Sequence, residues 1–386
     1  MNSLFPPYTA TVLVIIAAIL GAGYAAAQDE APEYTTLDPA TATNEFGGDL
    51  LWYDASALPI EGRGWTDVAS TYDRLPARAE GVVRSPVWGL SRDSSGMAIH
   101  FMTDSPTIGA RWVLRDGGLS MPHMPATGVS GLDLYVKHEG RWIWVANGRP
   151  SETTMQATLL SGIPEGMHEY LLYLPLYNGV TSVHVGVQPD TTVAVAPERP
   201  ENRRKPMVFW GTSILQGGCA SRPGMAYPSI IGRMMERPTI NLGFSGNGEM
   251  EPEMAEFIAE IDAEVFVVDC CPNLGPEEIA ARTEPVVHIL RKAHPETPIV
   301  LVENIIYQEG YFIPSMRESY ENKNAELKAA YERLVASGVK GLHYIPCDNL
   351  LGDDAEATVD GTHATDLGFL RMAEAIVPVL TQILDK

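Results

Sequence analysis

A serine at position 213 follows an apolar run and stands among glycines. The stretch VFWGTSILQGG, residues 208–218, is apolar from Val208 to Trp210 and breaks at Gly211, two residues before Ser213. Such a run is typical of a buried strand, and glycine permits a sharp turn at its end. A serine hydroxyl becomes an effective nucleophile only when a neighbouring base removes its proton. Ser213 is therefore a candidate nucleophile if a histidine reaches it, and a turn residue otherwise.

One of the nine histidines has the setting expected of such a base. His363 stands in DGTHATDLGF, on a glycine-containing loop just before the last helical stretch, and Asp360 precedes it by three residues. A carboxylate at this spacing on an irregular loop can turn back and hold the imidazole in one tautomer, which leaves the other ring nitrogen free to accept a proton. Asp360 and His363 are the candidate orienting acid and base.

Two further loops offer hydrogen-bond donors for a developing oxyanion. NLGFSGNGEM contains Gly246, DCCPNLG contains Asn273, and each loop follows a strand-like run. The backbone N–H of a glycine can approach an anion closely, and the asparagine amide is a neutral donor of the kind used in oxyanion holes. Glycine and asparagine are also common in turns. It is their order along the chain, together with Ser213 and His363, that indicates acyl transfer.

The first half of the chain has the period of β-strands. From about Trp52 to Val195, short segments rich in Val, Ile, Tyr and Trp alternate with turn residues, and residues 138–141 read as a hairpin turn. This pattern predicts an antiparallel, jelly-roll-like β-sandwich domain over residues 28–200. The polar, proline-bearing stretch at 196–206 suits a linker.

The second half alternates strand-like and helix-like segments. Such alternation predicts a parallel sheet covered by helices on both faces, in an α/β domain over residues 205–386. Ligands bind beyond the carboxyl ends of the strands in sheets of this kind, and Ser213 follows one of those ends. The predicted strands are 207–210, 265–268, 299–302 and 342–345, and the predicted helices are 253–261, 276–293, 319–336 and 365–384.

The N-terminal stretch has the pattern of a secretory signal peptide. An apolar segment from Val12 to Leu20 is followed by small residues that end at Ala27, which predicts a signal peptide over residues 1–27 with cleavage before Gln28. No Lys or Arg precedes the apolar segment, so an uncleaved anchor is the alternative, although the segment is shorter than the roughly 20 residues of a spanning helix. We expect a periplasmic or extracellular protein, without stable membrane insertion once the signal is removed.

Composition places the chain among folded globular proteins and excludes some partners. Its 386 residues are 45% hydrophobic and 20% charged, and its formal charge of −22 leaves no basic field for nucleic acid.

Of the four cysteines, Cys219 could pair with Cys270 or Cys271 in an exported protein, or all could be buried thiols. Their spacing matches no zinc pattern. We expect no metal or organic cofactor, and the oligomeric state stays open.

The four blocks, in this order, resemble those of the SGNH (GDSL-type) hydrolases. The resemblance implies a three-layer α/β/α sandwich for the second half. It also implies Ser213 as nucleophile, His363 as base and Asp360 as orienting acid. The implied oxyanion donors are the N–H of Ser213 together with Gly246 and Asn273. Two blocks depart from the family's usual motifs. The usual G-D-S is G-T-S here, and the usual G-x-N-D is C-P-N-L.

The first half carries a second resemblance. GLDLY, residues 131–135, is similar to the G-x-D-L-Y signature of a β-sandwich domain that precedes one SGNH subgroup. Asp133, Tyr135 and His123 could line part of a substrate pocket. We favour structural roles for them, with Asp133 fixing a turn, Tyr135 in the core and His123 in a loop.

The expected reaction is hydrolysis of short acyl esters through an acyl-enzyme, with acetyl groups on a small-molecule or oligosaccharide carbohydrate as the favoured substrate. The absence of a long apolar lid segment between the blocks suits a polar ester better than a triglyceride. The alternatives are a broad short-chain acyl esterase or lysophospholipase, and a catalytically inert carbohydrate-binding protein. Transfer of the acyl group to a sugar instead of water also stays open.

Overall fold

The computed structural model describes residues 34–384. The predicted signal peptide, residues 1–27, and the cleavage site before Gln28 lie outside the described residues. The first half contains these strands and short helices: β1 (Leu51–Asp54), β2 (Ile60–Glu61), α1 (Ser85–Leu90), β3 (Ala98–Thr103), β4 (Thr107–Leu114), α2 (Ala126–Val129), β5 (Leu132–His138), β6 (Arg141–Gly148), β7 (Thr154–Ser161), β8 (His168–Tyr173), β9 (Val180–Val187) and β10 (Val193–Val195).

These strands form two antiparallel sheets that share one core. One sheet has the order β1-β9-β4-β7, and the other has the order β10-β3-β8-β5-β6 with β2 beside β3. Phe101 and Leu134 from the second sheet belong to the same buried cluster as Trp112 and Val185 from the first. Alternate residues of each strand therefore face one shared core, as the period-two pattern requires. The predicted antiparallel sandwich is confirmed.

The hairpin between β5 and β6 turns where the sequence predicts it. Glu139 and Gly140 connect the two strands, with φ values of 49° and 74°. Two consecutive residues with positive φ are the mark of a type I′ turn, whose twist matches that of the paired strands. Glycine meets this requirement without strain at the second position.

The second half contains five further strands and six helices within the described part of the chain. They are β11 (Met207–Gly211), α3 (Ser213–Gln216), α4 (Tyr227–Met235), β12 (Thr239–Gly243), α5 (Pro252–Ile258), β13 (Val265–Asp269), α6 (Pro276–Ala293), β14 (Ile299–Val302), α7 (Pro314–Ala336), β15 (Leu342–Ile345) and α8 (Asp366–Leu384). The strands pair in parallel in the order β12-β11-β13-β14-β15.

Both faces of this parallel sheet are covered, and β11 shows how. Val208 and Trp210 belong to one buried cluster, which includes Leu290 of α6. Phe209, between them in sequence, belongs to the other cluster with Phe369 of α8. Alternate side chains of a central strand thus enter two separate cores, which is why the strand is apolar throughout. The predicted three-layer α/β/α arrangement is confirmed.

Helix α8 lies against one face of the sheet. Its buried positions Phe369, Met372, Ile376 and Leu380 repeat at the spacing predicted from the sequence. By length and composition this helix could also cross a membrane, a criterion that core helices of soluble proteins meet as well. Here its apolar stripe is occupied by packing against the sheet.

All four cysteines are free thiols. Cys219, Cys270 and Cys271 are buried, and Cys347 is half-buried. Of the two possibilities that the sequence left open, the structure has the buried thiols rather than a bridge from Cys219 to Cys270 or Cys271. Buried thiols pack as small apolar side chains.

Asp133 of the GLDLY signature joins the sandwich to the second half of the chain. Its buried carboxylate accepts hydrogen bonds from Trp144 Nε1 (2.7 Å), Arg222 Nη1 (2.7 Å) and the Gly224 N–H (2.8 Å). Arg222 also donates to the Tyr135 hydroxyl (2.5 Å). Asp133 and Tyr135 therefore have structural roles, as the sequence favours, and they hold Arg222 and Gly224, which lie about ten residues beyond Ser213.

The segment at 196–206 is tied to the first half as well. The guanidinium of Arg199 donates two hydrogen bonds of 2.9 Å to the carboxylate of Glu61. The predicted domain boundaries on either side of this segment stay a prediction.

Candidate active site

Ser213 lies on a tight turn between β11 and α3. Thr212 caps the helix, because its hydroxyl oxygen accepts a hydrogen bond from the Ile214 N–H (3.3 Å). A side chain at Gly211 would lie 2.5 Å from the Asp269 carbonyl oxygen, so only glycine fits there. Gly217, with φ of 107°, ends the helix. These residues place Ser213 at the carboxyl end of the central strand.

Ser213 and His363 meet, although 150 positions separate them in sequence. Ser213 Oγ lies 2.8 Å from His363 Nε2, and His363 Nδ1 lies 2.8 Å from Asp360 Oδ2. Because the Asp360 carboxylate can only accept, Nδ1 carries the ring proton and Nε2 is left with a lone pair facing the hydroxyl. This is the geometry in which imidazole can take a proton from serine.

The loop that carries Asp360 holds both the backbone and the imidazole ring of His363. Asp360 Oδ1 accepts a hydrogen bond from the His363 backbone N–H (2.7 Å), while Oδ2 faces the ring. The Val359 N–H donates to the His363 carbonyl (2.8 Å) and closes the loop. Partial burial alone would raise the pKa of Asp360, but the hydrogen bonds from His363 lower this pKa below its ordinary value. Asp360 therefore stays ionised beside the ring.

The loops with Gly246 and Asn273 start at the same rim as Ser213. In the sheet register, Gly211 at the end of β11 pairs with Gly243 of β12 and with Asp269 of β13. The chain beyond each of these residues therefore leaves the sheet at one level. Gly246 has φ of 66°, and a side chain built on it would meet no atom within 4 Å. Its glycine is required by the backbone conformation rather than by lack of space.

A backbone contact fixes the orientation of the Asn273 amide. The Gly248 N–H donates to Asn273 Oδ1 (3.1 Å). With its oxygen engaged as acceptor, the amide presents its NH₂ group as the remaining functional end. On the other side of the same loop, the Ser245 N–H donates to Gln216 Oε1 (2.9 Å), next to the serine turn. The loop with Gly246 is thus held between Gln216 and Asn273.

Three residues that sequence reasoning missed support this rim. Gln216 is buried, and besides Ser245 it binds Asp93 Oδ2 (2.9 Å) from the first half of the chain. The hydroxyl of Tyr177, in the loop after β8, donates to the Ser213 carbonyl (3.1 Å). Gln216 lies on α3 within the serine-turn stretch itself, but no pattern marks it as a supporting residue. Tyr177 lies in no recognisable motif, and only the fold brings it to the serine turn. The third is Arg84.

Arg84, just before α1, fastens the loop with Gly246 from outside. Its guanidinium donates to Asn247 Oδ1 (2.8 Å), to the Asn247 carbonyl (3.0 Å) and to Glu251 Oε1 (2.6 Å). These bonds use the forked geometry that only arginine has. Arg84 is therefore a positioning residue for the candidate oxyanion donors.

We expect Arg84→Ala to lower kcat by about tenfold with little change in KM, because a displaced donor loop costs part of the 10²–10³-fold that an oxyanion donor supplies. Steady-state kinetics of Arg84→Ala, Arg84→Lys and Arg78→Ala measure this. Arg78 is an exposed arginine paired with Asp67 and Glu260, so its variant is the matched control. A kcat for Arg84→Ala equal to that of the control would contradict the assignment.

A buried carboxylate lies beneath the serine turn. Asp269 is almost fully buried and accepts a hydrogen bond from the Tyr227 hydroxyl (2.8 Å). Burial raises the pKa of Asp269 to about 7, because the single hydrogen bond from Tyr227 offsets only part of the desolvation. In an unfolded chain the pKa of aspartate is about 3.9. The folded protein thus holds a proton between about pH 4 and pH 7 that the unfolded chain releases, and the free energy of unfolding falls as pH rises through this window.

Asp269→Asn is expected to remove this fall, since asparagine does not titrate and still accepts from Tyr227. The measured quantity is the free energy of unfolding of Asp269→Asn minus that of the wild type. This difference should be larger at pH 8 than at pH 4 by about 2–4 kcal/mol. Urea denaturation at both pH values tests this, with exposed Asp49→Asn as control. The same difference from wild type at both pH values would show that Asp269 does not titrate in this range.

A parallel α/β/α sheet with serine, histidine and aspartate joined by hydrogen bonds at its carboxyl edge defines the class of serine hydrolases. Comparison with known families agrees. Residues 204–381 match the GDSL-like lipase/acylhydrolase family, and residues 50–193 match the GxDLY family, described as the N-terminus of SGNH-hydrolase-type esterases.

Solved structures extend the comparison over both halves. The chain is 38% identical to a GDSL-like lipase from Bacteroides ovatus ATCC 8483, with a TM-score of 0.82 over 87% of this chain and 98% of that one. The chain therefore belongs to the GDSL-like lipase/acylhydrolase family, and it is an ester-hydrolysing serine hydrolase. The resemblance drawn from the sequence is confirmed.

Two more distant structures share the fold. One is the salicylyl-acyltransferase SsfX3 from a tetracycline biosynthetic pathway, at 19% identity and a TM-score of 0.68 over 87% of this chain and 98% of that one. The other is the acetyl xylan esterase Est2A from the rumen bacterium Butyrivibrio proteoclasticus, at 11% identity and a TM-score of 0.58 over 88% of this chain and 99% of that one. No protein of curated function matches the sequence.

Proposed function

We propose that the protein is an exported serine esterase that removes short acyl groups, acetyl above all, from carbohydrates. The catalytic residues in this proposal are Ser213 as nucleophile, His363 as base and Asp360 as orienting acid. The observation that carries the proposal is the continuous hydrogen-bonded path from Ser213 Oγ through the imidazole to the Asp360 carboxylate, with both distances 2.8 Å.

In the proposed reaction, His363 Nε2 takes the Ser213 proton as Oγ attacks the ester carbonyl. The N–H groups of Ser213 and Gly246 and the amide of Asn273 stabilise the oxyanion. His363 then gives its proton to the leaving alcohol, which leaves an acyl group on Ser213. Water, activated by the same imidazole, releases the acid and restores the serine.

The exposure of the site supports an ester substrate whose alcohol part is bulky and polar. The side chains of His363 and Asp360 are 25% and 40% exposed, so the triad lies at the open rim of the sheet. An acyl group attached to a large carbohydrate can reach such a site without the alcohol entering a cavity. The fold shared with an acetyl xylan esterase agrees with this choice.

Export is part of the proposal. It is supported by the apolar segment from Val12 to Leu20 and the small residues up to Ala27. Mass spectrometry of the protein recovered from the periplasm or medium tests it. A mature chain that begins at Gln28 is expected, and an intact Met1 on all molecules would contradict cleavage.

An acetate-release screen over acetylated oligosaccharides tests the substrate. We expect release from at least one acetylated glycan at a higher kcat/KM than from p-nitrophenyl esters of longer acyl chains. A preference that rises with chain length would instead identify a broad esterase or lysophospholipase. Labelling by a fluorophosphonate tests the nucleophile directly, because an inert carbohydrate-binding protein would form no adduct on Ser213.

Transfer of the acyl group to an alcohol is the second candidate, favoured by the fold shared with a salicylyl-acyltransferase. The acyl-enzyme is common to both reactions, and only the acceptor differs. Adding free sugar to the acetate-release assay separates them. Hydrolysis predicts unchanged acetate yield, whereas transfer predicts less acetate and a new acetylated sugar.

A further inference from the structure

His123, Cys219 and His363 form a cluster that the proposed reaction does not explain. One nitrogen of each histidine and the sulfur of Cys219 all lie within 4.8 Å of one another. His123 comes from the segment between β4 and β5, Cys219 follows the serine turn, and His363 is the candidate base. The rings of His123 and His363 meet edge to face, with centroids 5.9 Å apart. Three distant parts of the chain thus bring metal-ligand side chains to one point.

We propose that His123, Cys219 and His363 form a binding site for Zn²⁺, and that an ion bound there switches the esterase off. Imidazole nitrogen and thiolate sulfur are the ligands that Zn²⁺ takes most often in proteins. Three protein ligands with the fourth position open is a common zinc arrangement. Sequence spacing did not predict this site, because the fold alone assembles it.

The ligand positions fit an ion after a small adjustment. With bonds of about 2.0–2.1 Å to nitrogen and about 2.3 Å to sulfur, the ligand atoms of a tetrahedral zinc site lie about 3.5 Å apart. The present separations of up to 4.8 Å must therefore close by at most about 1.3 Å. His123 is exposed, so its side chain can move and also provides a route for the ion to enter. Cys219 is buried beside it.

Asp360 already supplies the outer contact that a ligating histidine needs. Histidines that bind metals through one nitrogen usually donate the other N–H to a carboxylate, which fixes the tautomer. His363 Nδ1 is bonded in this way to Asp360 Oδ2 (2.8 Å), and Nε2 keeps its lone pair. Charge also balances. Zn²⁺ displaces the proton of the Cys219 thiol to solvent, and the resulting thiolate and the Asp360 carboxylate together neutralise the ion.

Binding and catalysis compete for one atom. Because His363 Nδ1 is bonded to Asp360, Nε2 is the ring nitrogen left to coordinate Zn²⁺. Nε2 lies 2.8 Å from Ser213 Oγ, and its lone pair is the one that would take the serine proton. An occupied site therefore leaves Ser213 without a base. The metal site itself stands on the cluster geometry, whereas its effect on turnover rests on the proposed function.

The first experiment measures binding without activity. Folded protein is titrated with Co²⁺ and followed by the thiolate-to-cobalt absorption band, and Zn²⁺ is then added to displace the cobalt. We expect one equivalent to bind to the wild type and to Ser213→Ala. Cys219→Ser should lose the band, and His123→Asn should bind at least about 100-fold more weakly. Cys347→Ser and His138→Asn, outside the cluster, are the matched controls and should bind as the wild type does.

A thiolate band that is missing from the wild type, or that persists in Cys219→Ser, would overturn the site. X-ray absorption of the zinc-loaded wild type gives a second measurement that needs no variant. It should find one sulfur at about 2.3 Å and two imidazole nitrogens at about 2.0 Å. A zinc shell without sulfur would also refute the proposal.

The second experiment measures the switch. Saturating Zn²⁺ should lower the esterase rate of the wild type by about 100-fold or more, the contribution of a general base, and a chelator should restore it. For the wild type and for each variant of the cobalt titration, the rate with Zn²⁺ is compared with the rate of the same protein without Zn²⁺. An unchanged rate in protein shown to hold zinc would refute the switch. Full activity of Ser213→Ala would refute the proposed function and leave the cobalt titration intact, so the two failures are distinguishable.

Discussion

Ser213→Ala is expected to lower kcat by about 10⁵–10⁶-fold while the protein stays folded. Without the hydroxyl no acyl-enzyme can form, and the histidine has no proton to take. Catalysis then falls to what the oxyanion donors and substrate binding supply to direct attack by water, which in serine hydrolases is about 10³–10⁴-fold over solution. Alanine loses one oxygen from a side chain that is 7% exposed, so the fold should tolerate it.

Ser229→Ala is the matched control for this experiment. Ser229 is a buried serine on α4, and its hydroxyl has no hydrogen-bond partner among the described residues. Its removal should change neither stability nor rate. Initial rates on p-nitrophenyl acetate and fluorophosphonate labelling are measured for both variants. A Ser213→Ala enzyme within tenfold of the wild type, with circular dichroism showing a native fold, would exclude Ser213 as nucleophile.

The fold was predictable because its two halves have different hydrophobic periods. Alternation in the first half and continuous apolar runs in the second are direct consequences of one-faced and two-faced burial. Helix α6 begins and ends where the sequence predicts. Helix α7 begins at Pro314 rather than at residue 319. Proline is favoured in the first turn of a helix, so the helix starts at this proline, before the predicted position. Helix α5 ends at Ile258 instead of continuing to 261.

Helix α4 was not predicted. Its sequence YPSIIGRMM is only nine residues long, with a proline in its first turn and a glycine inside, so it spans too few turns for a helical period to be recognised in the sequence. Tyr227 from this helix lies against Phe369 of α8, and such packing decides the conformation where local propensity does not.

The sequence predicted the side chains that the proposed chemistry uses, but not those that hold them. Ser213, Asp360 and His363 are recognisable because acyl transfer demands particular residue types in a fixed order. Arg84 and Tyr177 act only through contacts with segments far away in sequence, and any arginine or tyrosine in a loop looks the same before folding. The sequence favours a structural role for His123 in a loop. The structure brings it next to His363, within a sandwich loop that no motif marks.

Asp360→Asn is expected to lower kcat by about 10³–10⁴-fold, the second largest effect. The two carboxylate oxygens have separate tasks: Oδ1 accepts from the His363 backbone N–H (2.7 Å) and Oδ2 accepts from the ring Nδ1 (2.8 Å). Asparagine can keep the first bond through its oxygen, which preserves the loop. Its NH₂ group then faces Nδ1 and favours the tautomer in which Nε2 carries the ring proton. A protonated Nε2 cannot accept the proton of Ser213.

The measurement for Asp360→Asn must separate a wrong tautomer from a distorted loop. A tautomer effect lowers kcat and leaves KM and the unfolding midpoint near the wild-type values, whereas a distorted loop changes all three. Asp353→Asn, an exposed aspartate in the same region, controls for the lost charge and should retain full activity. A decrease below about tenfold in kcat for Asp360→Asn would mean that His363 keeps its reactive tautomer without the carboxylate, and the orienting role would have to be abandoned.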